Sequence, residues 1–325
     1  MDPGVHFGMR LKFLALGGVL LLTLLQGTQC QAEPTLIITL GGDVILGRDG
    51  QAIFMDDPWG GLTPEELAAD GSRNWFLVNL ESPLGSLAKS PADSDGYNLC
   101  APSEAAEILK MGGVDLVSTA NNHQGDCLEV DDPSKVLRGI TPIINGQPVV
   151  LESSGGTITI LAADAVSKPM DMDSLLVSVA ELKVKSDVLI VSLHWGVEYA
   201  GEPTPLQRDQ AKQLANAGVD VLWGHHPHVL QPAEWVEAED GTHRMLALYS
   251  LGNLLTDQMM TYETRHSALV QLQFSEGEIS RIDFQPLVLT QKDGRLGLAC
   301  PSEEEVYQIS KRLGWAEILV SFIKN

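Results

Sequence analysis

The sequence predicts an α/β fold built on a mainly parallel sheet, and three features carry that expectation. Six short apolar runs rich in Val, Ile and Leu recur along the chain: Leu36–Leu40, Trp75–Leu80, Leu116–Thr119, Val188–Leu193, Val219–Trp223 and Met245–Tyr249. Near-continuous apolar strands of this kind suit a sheet covered on both faces. Segments with helix punctuation lie between the runs, which is the alternation of a parallel α/β sheet. Each run also gives way abruptly to polar residues, and in open α/β sheets the carboxyl ends of the strands are where ligands bind.

Taken in order, Ser103 is placed to cap a helix that ends at Gly112-Gly113. Thr204, with Pro205 at the first helical position, opens another that runs to Gly218. Around Ser153–Leu161 and Ala268–Phe274 the pattern becomes alternating and β-branched, predicting antiparallel strands at a sheet edge or in a second sheet. After Pro301, Ser302 and Glu305 have capping-box spacing ahead of Val306, Ile309 and Leu313, so residues 301–325 read as one packing helix. No fixed-period repeat or linker divides the chain, and residues 33–300 read as one domain.

Composition narrows the function. The chain has 325 residues, with 43 acidic against 21 basic side chains and a formal net charge of −22. A core of that size needs no staples. The acid excess opposes the counterion-releasing contacts that nucleic-acid backbones require, so nucleic acid is not an expected partner. At the N-terminus, Arg10 and Lys12 precede an uncharged run from Phe13 to Leu25, and a small-residue site follows at Cys30-Gln31-Ala32. The apolar run is shorter than the ~20 residues a spanning helix needs, so residues 1–32 read as a signal peptide. Export to a periplasmic or extracellular location follows, or anchoring through this segment if it is not cleaved. The remaining cysteines are Cys100, Cys127 and Cys300. An oxidising compartment permits one bridge, with Cys100 and Cys127 the plausible pair, although a free buried cysteine satisfies the sequence as well.

The residues at the run ends form a chemical series. The first run leads into Gly41-Gly42-Asp43, the second into Glu81, and the third into Asn121-Asn122-His123. The fourth leads into His194, the fifth into His225-His226-Pro227-His228, and the sixth into Ser250-Leu251-Gly252-Asn253. Five of the eight histidines therefore sit at strand ends. Carboxylate, amide oxygen and imidazole are donors that a borderline divalent cation accepts. If the backbone of His226-Pro227-His228 is extended, both imidazoles face one site and His225 points away.

At this point the chain resembles a known family. Gly42-Asp43-Val44-Ile45-Leu46-Gly47-Arg48, Asn79-Leu80-Glu81, Ala120-Asn121-Asn122-His123, His194-Trp195-Gly196-Val197-Glu198-Tyr199, Gly224-His225-His226-Pro227-His228-Val229 and Tyr249-Ser250-Leu251-Gly252-Asn253 look like the CapA/PgsA capsule-synthesis family. That family is associated with poly-γ-glutamate and belongs with the calcineurin-like metallophosphoesterases. The resemblance implies a four-layer α/β/β/α sandwich with one or two divalent ions, such as Mn, Zn or Fe. It implies Asp43 and His228 on one metal, Asn122, His194 and His226 on the other, and Glu81 between them, with His123 as general acid. Two departures stand out. Ile45 occupies the position where metallophosphoesterases usually carry a histidine ligand, and the bridging carboxylate is Glu81 rather than Asp.

On this reading the chain is an exported metal-dependent hydrolase tied to capsule or poly-γ-glutamate metabolism. It would act on a phosphoester or on a γ-glutamyl amide in an anionic polymer, near membrane-associated capsule machinery. Arg48 would orient the anionic substrate, and Glu198 and Tyr199 would wall the site. The alternative is a non-catalytic, metal-stabilised component that holds the polymer during export.

Overall fold

The computed structural model describes residues 36–47, 53–62, 74–86, 98–153 and 155–323. The predicted signal peptide and Arg48 lie outside the described residues.

Two sheets stack face to face. In the first, β1 (Leu36–Val44), β2 (Asn74–Leu80), β4 (Leu116–Ser118) and β6 (Thr141–Ile143) run parallel in that order. Between them in the chain come a small ladder of β3 (Gly85–Ser86) with β5 (Glu129–Val130), and the short helices α1 (Ala106–Met111) and α2 (Pro133–Val136). In the second sheet, β8 (Gly156–Asp164), β9 (Val188–His194), β10 (Val221–His225) and β12 (Arg244–Leu248) are parallel neighbours. It is closed by the antiparallel edge strands β7 (Val149–Ser153) and β11 (Ala233–Glu237). The helices α3 (Met172–Lys183) and α4 (Pro205–Asn216) cross between its strands. The chain then returns to the first sheet. There β13 (Asn253–Leu255) pairs with the end of β1, and β14 (His266–Ser275), β15 (Glu278–Lys292) and β16 (Arg295–Ala299) add antiparallel strands beyond β1.

The parallel strands lack polar alternation because both of their faces are covered. Ile38, Leu40, Leu77, Ile160, Ile190, Val221 and Trp223 fill the layer between the sheets. Phe76, Val78 and Val117 pack outward against Ile108 and Leu109 of α1, and Leu189, Val191 and Leu222 pack against Ala211 and Leu214 of α4. The result is helix, sheet, sheet, helix. Trp223 ties the sheets together directly, its indole N–H donating to the carbonyl of Gly41 at 2.8 Å.

Local signals explain most boundaries. Thr204 and Gln207 form the reciprocal capping box of α4, with Pro205 at the first helical position. Ser103 behaves differently: a 3-10 turn over Ser103–Ala105 precedes α1, and the Ser103 hydroxyl bonds Asp131 instead of capping a helix. At Ser153–Leu161 the alternating stretch is the turn of a hairpin, and its second arm, β8, joins β9 in parallel. The C-terminal stretch makes two helices rather than one. The Ser302–Glu305 capping box starts α5 (Glu303–Leu313), Gly314 terminates it in the left-handed conformation at φ 64°, and α6 (Trp315–Ile323) follows. Ile309, Leu313 and Ile318 bury themselves against the layer between the sheets. Cys100 and Cys127 are bridged, and Cys300 is free and exposed. Among the described residues no helix is long and apolar enough to cross a membrane.

Candidate metal centre

The carboxyl ends of β1, β2, β9 and β10 meet at one place, and the glycines around it let backbones approach. A methyl group on Gly42 would overlap the carbonyl oxygen of Gly252, which accepts the Asp43 N–H at 2.9 Å. Asp43 is wholly buried. Its Oδ1 accepts from Asn79 Nδ2 at 2.8 Å and lies 3.3 Å from His225 Nδ1, while Oδ2 lies 3.3 Å from both the His226 N–H nitrogen and His228 Nδ1. Burial alone would raise the Asp43 pKa, but the imidazoles of His225 and His228 outweigh it and hold the carboxyl well below its usual range.

Glu81, the residue after β2, is equally buried. Its Oε1 is 3.3 Å from His194 Nε2 and its Oε2 is 3.7 Å from His228 Nδ1, yet neither oxygen has a well-directed hydrogen bond. Burial pushes its pKa up and the repulsion from Asp43 adds to that, but His228 and His194 prevail and the carboxyl stays ionised below its ordinary value. His194 Nε2 is instead engaged by Asn122 Oδ1 at 2.8 Å. His226 Nδ1 is buried without a partner, and its ring centroid lies 4.9 Å from that of His194. Burial, reinforced by His194 and His228, lowers the His226 pKa to about 4, so this imidazole is neutral at pH 7. For His228 burial also acts downward, but Glu81, Asp43 and Glu198 reverse it and raise the pKa to about 9.

Three overlapping sets of donors, each with all ligand atoms within 4.8 Å of one another, emerge from this geometry: Asp43, Glu81 and His228; Glu81, His194 and His226; and Glu198, His226 and His228. Two carboxylate oxygens buried without hydrogen bonds among imidazoles would each cost on the order of 1–3 kcal/mol or more. A divalent cation removes that cost, and the donor set of oxygen and nitrogen suits one. The residues present therefore fit a metal.

Asp43, Glu81, Asn122, His194, His226 and His228 are thus brought together. Tyr199 lies over the same place, its ring 6.1 Å from that of His228. His123 does not join the clustered donors; its Nδ1 pairs with Asp126 Oδ2 at 2.9 Å. The adjacent Asn121 is structural, its amide donating to the Leu80 carbonyl at 2.9 Å. Ile45 is buried and offers no donor.

His225 does not point away. The extended backbone assumed for this segment fails because His226 and His228 adopt positive φ values of 96° and 59°. The strand ends at His225, whose ring is turned onto Asp43, and the left-handed residues bring His226 and His228 to the same centre. Asn79 and Asn253 are further participants. Asn79 bonds Asp43, and Asn253, paired in register with Asp43, places Oδ1 3.1 Å from His228 Nδ1. Their signal was their position: both are polar residues at or beside a strand end.

A family model described as bacterial capsule synthesis protein PGA_cap matches residues 37–130 and 142–258, which include every clustered donor. The chain belongs to this family. Within the capsule synthesis family, it is 39% identical over 289 residues to the PGA biosynthesis protein CapA of Bacillus subtilis (strain 168), covering 79% of this chain and 72% of that one. It is 26% identical over 307 residues to the capsule biosynthesis protein CapA of Bacillus anthracis, covering 84% and 72%. Among solved structures, a phosphatase from Mycoplasma pneumoniae superposes with a TM-score of 0.51 at 15% identity, covering 80% of this chain and 96% of that one. That likeness concerns the fold alone.

Proposed function

We propose that this capsule synthesis protein is an exported, metal-dependent hydrolase acting on a phosphoester or γ-glutamyl amide bond in poly-γ-glutamate metabolism. The observation that carries the reading is Glu81, a fully buried carboxylate whose two oxygens lack hydrogen bonds and face the imidazoles of His194 and His228. Asp43, Glu81 and His228 would hold one ion, and Glu81, Asn122, His194 and His226 a second. Bound there, a divalent cation would polarise a phosphoryl or carbonyl oxygen and acidify water at neutral pH.

The chain's own residues would do the rest. Asn79 and His225 fix the Asp43 carboxylate from the side. His123, with Nδ1 held by Asp126, would present Nε2 to the leaving group as proton donor. Tyr199 and Val197, both about half exposed, would flank the bound polymer. Arg48 remains the proposed anchor for substrate charge. Export is supported by the Cys100–Cys127 bridge, since such bonds persist in oxidising compartments. A second reading, a polymer-holding component without turnover, is favoured by Ile45, which leaves the first ion one donor short.

The test is hydrolysis by purified protein supplied with Mn²⁺, using an aryl phosphodiester and poly-γ-glutamate of defined length. Turnover of either, abolished in His226→Ala, supports the enzyme. Metal uptake with saturable polymer binding and no product supports the second reading and refutes the first.

A further inference from the structure

We propose that Glu198 is a metal ligand, closing the cage from the solvent side and supplying the donor that Ile45 cannot. The inference rests on the metal-centre reading and adds to it a residue that had been placed only in the wall of the site. Its carboxylate oxygen lies within 4.8 Å of a ring nitrogen of both His226 and His228, and those two donors also lie within 4.8 Å of each other. Two donors each about 2.0–2.2 Å from one cation cannot be more than about 4.4 Å apart. Three donors within 4.8 Å of one another lie no more than about 2.8 Å from a common point, so inward shifts of at most about 0.8 Å would close this set on an ion.

The position is built rather than accidental. β9 ends at His194, the Trp195 N–H donates to the His225 carbonyl at 3.1 Å, and Gly196 turns the chain at φ 92°. The Tyr199 N–H then donates to the carbonyl of Pro227, between the two histidines, at 2.8 Å. One residue on, the carbonyl of Ala200 accepts from the side chain of Gln231, itself fully buried, at 2.8 Å. Glu198 is thus held between two backbone anchors, both tied to the segment that carries His226 and His228. It is exposed while those histidines are buried, so its carboxylate meets them from outside.

A second observation points to a cation at this spot. His226 is 6% exposed and its Nδ1 has no hydrogen-bond partner. Glu81 belongs to the other two donor sets, sharing one with His194 and His226 and the other with Asp43 and His228. Glu198 forms the third set with His226 and His228, one histidine from each of the sets that Glu81 joins. Ile45, 1% exposed and apolar, offers no side-chain donor of its own.

The test uses the full chain stripped of metal with a chelator and titrated with Mn²⁺ by calorimetry and with Co²⁺ by visible absorption. Glu198→Gln is compared with wild type and with Glu239→Gln, an exposed carboxylate outside the donor sets. The expected result is a 10- to 100-fold weaker site in Glu198→Gln, on the scale of lost coordination-sphere contacts. An altered Co²⁺ spectrum should accompany it, with Glu239→Gln unchanged. Thermal unfolding of the metal-free variant matching wild type shows that the fold is intact. Wild-type affinity in Glu198→Gln, or weaker binding with an unaltered Co²⁺ spectrum, overturns the assignment and leaves Glu198 as a wall residue or a distant charge. Failure of the wild type to bind either ion sinks the metal-centre reading itself, a separate outcome.

Discussion

Replacing both bridged cysteines tests how the loop carrying His123 is held. Cys100 and Cys127 are 27 residues apart, and both are nearly buried. The closed loop restricts the unfolded chain by an entropy of about 2.1 + 1.5R ln n cal/mol/K, which for n near 27 is about 12 cal/mol/K, or about 3.5 kcal/mol at 25 °C. Serine is the suitable replacement because the sulfurs already lie beside the carbonyls of Ser86 and Pro83, at 3.7 and 3.4 Å, which a hydroxyl can use as acceptors. With an unfolding entropy of about 2.1 cal/mol/K per residue over the unit Glu33–Asn325, 3.5 kcal/mol corresponds to a fall in Tm of about 6 °C. The same bridge holds Asp126 against Asn98 and Leu99, whose amides donate to its carbonyl and carboxylate at 2.6 and 2.7 Å. Asp126 in turn holds His123. The Cys100→Ser/Cys127→Ser protein should therefore melt about 6 °C lower in calorimetry and lose turnover before it loses metal. A Tm within about 1 °C of wild type would refute the reasoning, because the loop would then be fixed without its covalent closure.

Other outcomes follow from the centre. In the metal-free protein His228 has a pKa raised to about 9, above its ordinary value of about 6.5. Its protonation therefore favours the metal-free fold below about pH 6.5, and that contribution disappears as the pH rises through 9. An incoming ion must displace this proton, so Mn²⁺ affinity should rise about tenfold per pH unit up to pH 9 with release of about one proton at pH 7. Calorimetry in two buffers of different ionisation enthalpy would show it, and pH-independent affinity would contradict it. Gly42→Ala should destabilise the protein by several kcal/mol and weaken metal binding, because the new methyl group drives β1 away from Gly252 at the residue before Asp43. Chemical denaturation and Mn²⁺ titration together check it. Asp126→Asn should lower kcat about 10- to 100-fold with little change in KM, since it disturbs the orientation of His123 while leaving the donor cage intact. Steady-state kinetics on whichever substrate turns over decides this.

Much of the fold could be read from apolar runs because a strand buried on both faces needs little polar alternation, and β1, β2, β9 and β10 are of that kind. Helix α4 was equally plain because its start is written in three residues, Thr204, Pro205 and Gln207. The donor series was visible for a related reason: polar residues that interrupt apolar strands must find partners. What sequence could not supply was backbone conformation at those interruptions. Nothing in His-His-Pro-His announces that two of its residues adopt positive φ, which brings His226 and His228 to the centre that His225 also faces. Asn253 acts from a short strand paired to β1 only through tertiary packing, a contact that local pattern does not encode. The two-helix C-terminus turned on Gly314, whose left-handed cap outweighed an apolar pattern continuous across it.

The central claim is that donors from separate strand ends form one cation cage, and metal stoichiometry tests it most directly. Elemental analysis of the purified protein after Mn²⁺ or Zn²⁺ loading and gel filtration should give one or two tightly held ions per chain. Asp43→Asn and His226→Ala should each lower that number without unfolding the protein. A wild type that emerges without metal, or variants that retain the full complement, would contradict the account.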